Sequence, residues 1–80
     1  MNKDIDFPQY RKLSNGKAFY RITSERSFDE LQILGSKVLL YSFQVDKYPE
    51  FVRIQQMLQK EGDYEPLSPN DFESLLKRVH

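Results

Sequence analysis

The fold is decided by residues 10–22, which read YRKLSNGKAFYRI. The pair Asn15-Gly16 favours a two-residue type I′ turn, because both central positions of that turn need a positive φ. A β-hairpin with this pair at its tip places Arg11 opposite Tyr20. One face of the hairpin then carries Leu13, Ala18, Tyr20 and Ile22. The other face carries Tyr10, Lys12, Phe19 and Arg21.

Residues 28–34 fit two kinds of secondary structure. Ser27 is followed three residues later by Glu30, which forms a capping box typical of a helix start. Hydrophobic residues continue at helical spacing, and Gly35 follows as a C-terminal cap. Leu31 and Ile33 also fit a strand, so a short helix and a strand are alternative predictions for this segment.

Residues 37–45 are predicted to form a long strand, because apolar side chains alternate along them. One face carries Leu39, Tyr41, Phe43 and Val45. The other face begins with Val38 and Leu40 and turns polar at Ser42. A strand that is apolar on both faces at its start is expected at the centre of a sheet.

Two amphipathic helices are predicted in the second half of the chain. Asp46 caps the first helix and Gly62 ends it, whereas Ser68 caps the second helix with Pro69 at its first position. The apolar stripe of the first helix is Phe51, Ile54, Met57 and Leu58. The stripe of the second is Phe72, Leu75, Leu76 and Val79.

These elements predict a small α+β domain. Its sheet is mostly antiparallel and contains the N-terminal β-hairpin and the long central strand, with the two main helices packed on one face. Residues 64–67 are predicted to form a short extended piece, and Pro66 favours either an edge strand or a non-strand position there. The 80 residues suffice for one domain, 1–80, in which the polar residues 1–6 are expected to be frayed.

The composition excludes several classes of site. The chain has no cysteine, and its only histidine is His80, so it cannot build a disulfide scaffold, a thiolate zinc site or a Ser-His-Asp triad by itself. Its longest apolar runs are far shorter than the roughly 18–20 residues needed to cross a bilayer, and the N-terminus lacks the apolar stretch of a signal peptide. We therefore expect a soluble cytoplasmic protein without a membrane partner.

Charge is segregated along a chain whose 12 basic and 12 acidic side chains cancel. Residues 10–26 contain five basic side chains and only one acidic side chain, Glu25, and they also contain aromatic residues. A basic surface with exposed aromatic side chains can follow phosphates and stack on bases. The candidate binding surface therefore consists of Tyr10, Arg11, Lys12, Lys17, Phe19, Arg21 and Arg26. The alternative without a binding function is a solvated hairpin face whose aromatic residues serve cross-strand packing.

The acidic second half contains no pattern that predicts catalysis or metal binding. Glu61, Asp63 and Glu65 alternate in sequence, but the ligand spacing of a calcium loop is absent. Glycine-rich phosphate loops and nucleophile elbows are absent as well. We therefore predict no catalytic residue, no metal ligand and no cofactor.

Two segments carry a resemblance. Residues 15–22, NGKAFYRI, and residues 31–37, LQILGSK, look like small bacterial proteins of unknown function. This resemblance covers about half of the chain and implies no activity.

The sequence is most compatible with a small non-enzymatic protein-interaction domain, such as a regulator, adaptor or inhibitor. The expected partner is a protein, either another protein or a second copy of the chain. A homodimer through the long strand or an edge strand would bury additional apolar surface. The alternative is a nucleic-acid-binding accessory protein that uses the basic hairpin, residues 10–26.

Overall fold

The computed structural model describes residues 6–79, so the predictions for residues 1–5 and for His80 lie outside the described part. In this part of the chain, five antiparallel strands form one sheet in the order β4-β3-β2-β1-β5, and two helices pack on it. The elements are β1 Gln9–Leu13, β2 Ala18–Ser24, β3 Ser27–Leu34, β4 Lys37–Gln44, α1 Tyr48–Leu58, β5 Tyr64–Pro66 and α2 Pro69–Leu76. The predicted α+β class with an antiparallel sheet is confirmed.

The N-terminal hairpin has the predicted register, with Arg11 opposite Tyr20 and Gln9 opposite Ile22. Its turn differs from the predicted type I′ turn, because Gly16 has a φ of 74° whereas Asn15 does not have a positive φ. The Gly16 amide donates to the Leu13 carbonyl, and the Asn15 side-chain oxygen accepts from the Lys17 amide at 2.9 Å. This side-chain bond holds Asn15 in an Asx turn, so only the glycine needs the left-handed region.

Residues 28–34 belong to strand β3, and the helical alternative is wrong. The Ser27 hydroxyl does not cap a helix, because it lies 2.6 Å from the Thr23 hydroxyl and 2.7 Å from the Ser24 hydroxyl. Phe28 is buried on one face of the sheet and Leu31 on the other. Burial on two opposite faces requires the period of a strand, and this tertiary demand overrides the local capping signal.

Gly35 forms the β3–β4 turn rather than a helix cap, and its φ is 63°. A Cβ atom at this position would meet no atom within 4 Å. We therefore expect Gly35→Ala to lower the free energy of unfolding by about 1 kcal/mol through backbone strain alone. Asparagine tolerates the left-handed region better than alanine, so Gly35→Asn should cost less in the same urea-unfolding measurement. Equal losses for the two variants would contradict this explanation.

Strand β4 is an edge strand, whereas the sequence predicted a central one. It pairs with β3 along its full length, from Leu34–Lys37 to Ser27–Gln44. Among residues 6–79, no strand lies on its other side, so the sheet of this part of the chain ends at β4. The apolar pattern misled the prediction because two of its side chains, Leu40 and Tyr41, are 40% and 42% exposed.

The helices pack on opposite faces of the sheet rather than both on one face. Helix α1 contributes Ile54 and Met57 to a cluster that contains Tyr20 and other residues of the same face. Helix α2 contributes Phe72 to a second cluster on the other face, with Leu31 and Val38. Strand β3 and the start of β4 carry apolar side chains on both faces. Each face of the sheet therefore needs a helix to bury its apolar side chains.

The ends of the helices agree only partly with the predicted ends. The Ser68 hydroxyl accepts from the Asp71 amide at 3.1 Å, so the predicted cap of α2 is confirmed. The N-cap position of α1 is Lys47 rather than Asp46, and its side chain makes no capping hydrogen bond. Helix α1 ends at Leu58, before Gly62.

Candidate protein-interaction surface

Arg11, which was predicted as a binding residue, is buried beneath helix α1 with 6% of its surface exposed. Its Nε donates to the Met57 carbonyl at 2.8 Å, and a terminal nitrogen donates to the Leu58 carbonyl at 3.3 Å. Its other terminal nitrogen donates to the carbonyl of Tyr10. Burial lowers the pKa of Arg11. The guanidinium thus satisfies the carbonyl groups at the C-terminal end of α1, where a cation also suits the helix dipole.

Arg21 is engaged on the opposite face, between the sheet and α2. Its guanidinium lies 2.9 Å from the Asp29 carboxylate and 3.3 Å from the Glu73 carboxylate. The same group lies 5.0 Å from the centre of the Phe72 ring, which Tyr10 also contacts at a centroid distance of 5.6 Å. Tyr10 and Arg21 therefore hold α2 on the sheet.

The remaining residues of the predicted surface are spread over the molecule. Lys12 lies 4.0 Å from Glu65 in an exposed ion pair, and Phe19 packs against the core beneath α2. Lys17 is exposed in the β1–β2 turn. Arg26 lies in the turn at the other end of β2, with its guanidinium over the Phe51 ring. The structure does not bring the seven residues together as one exposed basic surface.

Helix α1 is joined to the sheet by a second arginine, which the sequence did not single out. Arg53 donates to Glu30 at 3.1 Å and to the Tyr20 hydroxyl at 3.3 Å. Burial raises the pKa of Tyr20, with a smaller opposing effect of the hydrogen bond from Arg53. Burial alone would lower the pKa of Arg53, but its hydrogen bonds to Tyr64 and Tyr20 raise the pKa above its usual value. Glu30, which is 5% exposed, is thereby paired with the guanidinium of Arg53.

The exposed large apolar side chains are concentrated on the β3–β4 hairpin. Among the described residues they are Leu34, Leu40, Tyr41 and Tyr48, and the first three belong to this hairpin. Tyr41 lies on the α1 face, because it is opposite Glu30, whereas Leu40 lies on the α2 face, opposite Leu31. The edge strand β4 therefore presents an apolar side chain on each side of the sheet.

Within residues 6–79, the backbone of β4 also presents hydrogen-bonding groups that have no partner. The Val45 amide donates to the Arg26 carbonyl at 2.6 Å. This bond shows which residues of β4 form backbone hydrogen bonds with β3. In an antiparallel pair the hydrogen-bonded positions alternate, so the odd-numbered residues of β4 bond to β3. The amide and carbonyl groups of Leu40, Ser42 and Gln44 consequently point away from the sheet. Val38, at the start of the strand, is bridged by Val79.

Strand β5, at the other edge of the sheet, is closed to a further strand. It has three residues, and the bond from Ser14 to the Asp63 carbonyl places Tyr64 and Pro66 at its outward positions. The Tyr64 amide already donates to Glu61, and proline has no amide hydrogen. A short edge with a proline is a known protection against strand pairing, and β4 lacks that protection.

Other features of residues 6–79 add no site. The acidic side chains Glu61 and Asp63 line an open pocket beside Tyr64. Within residues 6–79 no group of three metal-ligating side chains comes together. None of the helices in that part of the chain has the length and apolar character needed to cross a membrane.

In comparisons with known proteins, no protein-family model matches the chain, and no significant match occurs among curated proteins or solved structures. The resemblance of residues 15–22 and 31–37 to small bacterial proteins therefore stays a prediction.

Proposed function

We propose that this chain is a protein-interaction domain that binds its partner by strand addition at the β4 edge. The observation that carries the proposal is the open edge of Leu40, Ser42 and Gln44, whose backbone groups point away from the sheet. An extended segment added there would form main-chain hydrogen bonds that do not depend on the partner's sequence. Contacts with Leu40 on one face and Tyr41 on the other would provide selectivity.

Protein binding is favoured over the nucleic-acid alternative by the partners of the basic side chains. Arg11 is buried, and Arg21 is already paired with two carboxylates. Phosphate binding needs cations that are free to replace counterions. The β4 edge, in contrast, offers uncharged groups that suit another polypeptide.

The proposal can be tested with a photo-crosslinking amino acid, p-benzoylphenylalanine, placed at position 41 of the full chain in living cells. Position 48 is the matched control, because Tyr48 is also an exposed tyrosine, at 78%, but lies outside β4. We expect protein adducts from position 41 and few from position 48. Tandem mass spectrometry should locate the attachment in an extended segment of the partner. Equal adduct yields at the two positions, or none at position 41, would overturn the proposal.

A further inference from the structure

We infer that the partner at the β4 edge is a second copy of this chain, which pairs with β4 in antiparallel orientation across a two-fold axis. This inference rests on the proposed function and specifies its occupant. The product is a continuous ten-stranded sheet formed from two five-stranded sheets. Such an isologous contact uses the same surface on both copies and therefore closes without further growth. The protected β5 edges would end the sheet on both sides.

The charge distribution of the edge suits self-pairing. Residues 38–45 carry no charged side chain, so two copies of β4 can face each other without opposing like charges. The chain as a whole has a formal net charge of zero, so long-range repulsion between two copies is small. Edge strands that avoid self-association usually carry a lysine, a proline or a bulge along the exposed side. The only lysine of β4 is its first residue, Lys37, which precedes the bridge between Val38 and Val79 and therefore lies outside the open part of the edge.

The position of the two-fold axis follows from the open part of the edge. Val79 occupies the edge at Val38. In the part of the chain that the structure describes, the outward groups without a partner are therefore those of Leu40, Ser42 and Gln44, and Ser42 is their midpoint. An axis at Ser42 places Leu40 of one copy opposite Gln44 of the other. It also places Tyr41 of each copy opposite Phe43 of the other. These two pairs do not exchange backbone hydrogen bonds, and in such pairs the facing side chains lie closer together than in hydrogen-bonded pairs. Aromatic cross-strand pairs of this kind stabilise a sheet.

Two double variants test this register with a matched design. Leu40→Lys with Gln44→Glu places opposite charges across the proposed interface at two symmetric positions, whereas Leu40→Lys with Gln44→Lys places like charges there. Leu40 and Gln44 are exposed, so both variants should fold, and circular dichroism and urea unfolding verify this. Within one chain the two positions are four residues apart, about 13 Å along a strand, so their intramolecular interaction is weak.

Sedimentation equilibrium at low and high salt measures the result. We expect the wild-type chain to dimerise and the lysine–glutamate variant to dimerise about tenfold more tightly than the lysine–lysine variant at low salt. The difference should shrink at high salt, where exposed charges are screened. A wild-type dimer whose double variants associate equally would overturn the register and with it the inference.

The crosslinking result separates the two proposals. A position-41 adduct with another protein, together with a monomeric wild-type chain at every concentration, would overturn the inference but support the proposed function. Absence of both adducts and dimers would overturn both. An adduct with the mass of two chains and an attachment within residues 40–44 supports both.

Discussion

Replacing Arg11 with alanine is expected to lower the free energy of unfolding by about 3 kcal/mol. The arginine is 6% exposed and donates hydrogen bonds to the carbonyls of Met57, Leu58 and Tyr10. Without the guanidinium, the carbonyl groups at the end of α1 lose their donors and the site becomes a cavity. Urea unfolding followed by circular dichroism measures the loss.

Two controls define the cause of the Arg11 effect. Lys17→Ala removes another basic residue of the predicted binding surface, but Lys17 is exposed, so its effect should stay within about 0.5 kcal/mol of wild type. Arg11→Lys should recover less than half of the loss, because an ammonium group cannot reproduce the planar fork of donors. If Arg11→Ala were as stable as Lys17→Ala, Arg11 would be a surface residue and the account of the α1 end would be wrong.

Replacing Phe72 with alanine should cost about 3–5 kcal/mol, the usual range for a buried phenylalanine. Its side chain is fully buried at 0% exposure and lies at the centre of the cluster that joins α2 to the sheet. The variant also removes the ring beneath the Arg21 guanidinium and beside Tyr10. Because a domain of this size has a total stability of about 5 kcal/mol or slightly more, the variant should be largely unfolded in mild denaturant.

Comparison with Leu34→Ala separates burial from simple loss of an apolar group. Leu34 is 53% exposed at the end of β3, so its truncation should change stability by less than about 1 kcal/mol. Phe72→Leu keeps most of the buried volume and should recover part of the loss. A small effect of Phe72→Ala, similar to that of Leu34→Ala, would show that α2 does not cover this face of the sheet.

The features that could be predicted from the sequence are those with strong local signals. The pair Asn15-Gly16 between two alternating segments sufficed for the register of the first hairpin, because a short turn sets the pairing of its strands. The cap at Ser68 and the apolar stripe after it likewise indicated α2. The turn type escaped prediction, since the bond from Lys17 to the Asn15 side chain competes with the backbone pattern.

Other features depend on contacts between distant residues. A capping box at Ser27 and a strand compete for the same residues, and the burial of Phe28 and Leu31 on opposite faces decides for the strand. The position of β4 at an edge depends on the order of all the strands, because a strand that is apolar on both faces can also be covered by two helices. For the same reason, the placement of α1 and α2 on opposite faces was not evident from their separate stripes.

The burial of Arg11 could have been predicted from the sequence. The predicted register already placed Arg11 opposite Tyr20, on the face that also carries Leu13. An arginine at an inward position of a hairpin indicates a buried charge that needs partners, rather than a binding residue. The role of the carbonyls at the end of α1 as those partners required the structure, because they lie 46 and 47 residues further along the chain.

Amide hydrogen exchange at single-residue resolution tests most directly whether the β4 edge is the binding surface. The amides of Leu40, Ser42 and Gln44 point away from β3, so they should exchange rapidly in dilute protein. We expect their exchange to slow as the protein concentration rises, while the amides of Asn15 and Glu25, in the exposed turns at the two ends of β2, remain fast. Rapid exchange of these three amides at every protein concentration, and also with any partner captured from position 41, would contradict the account.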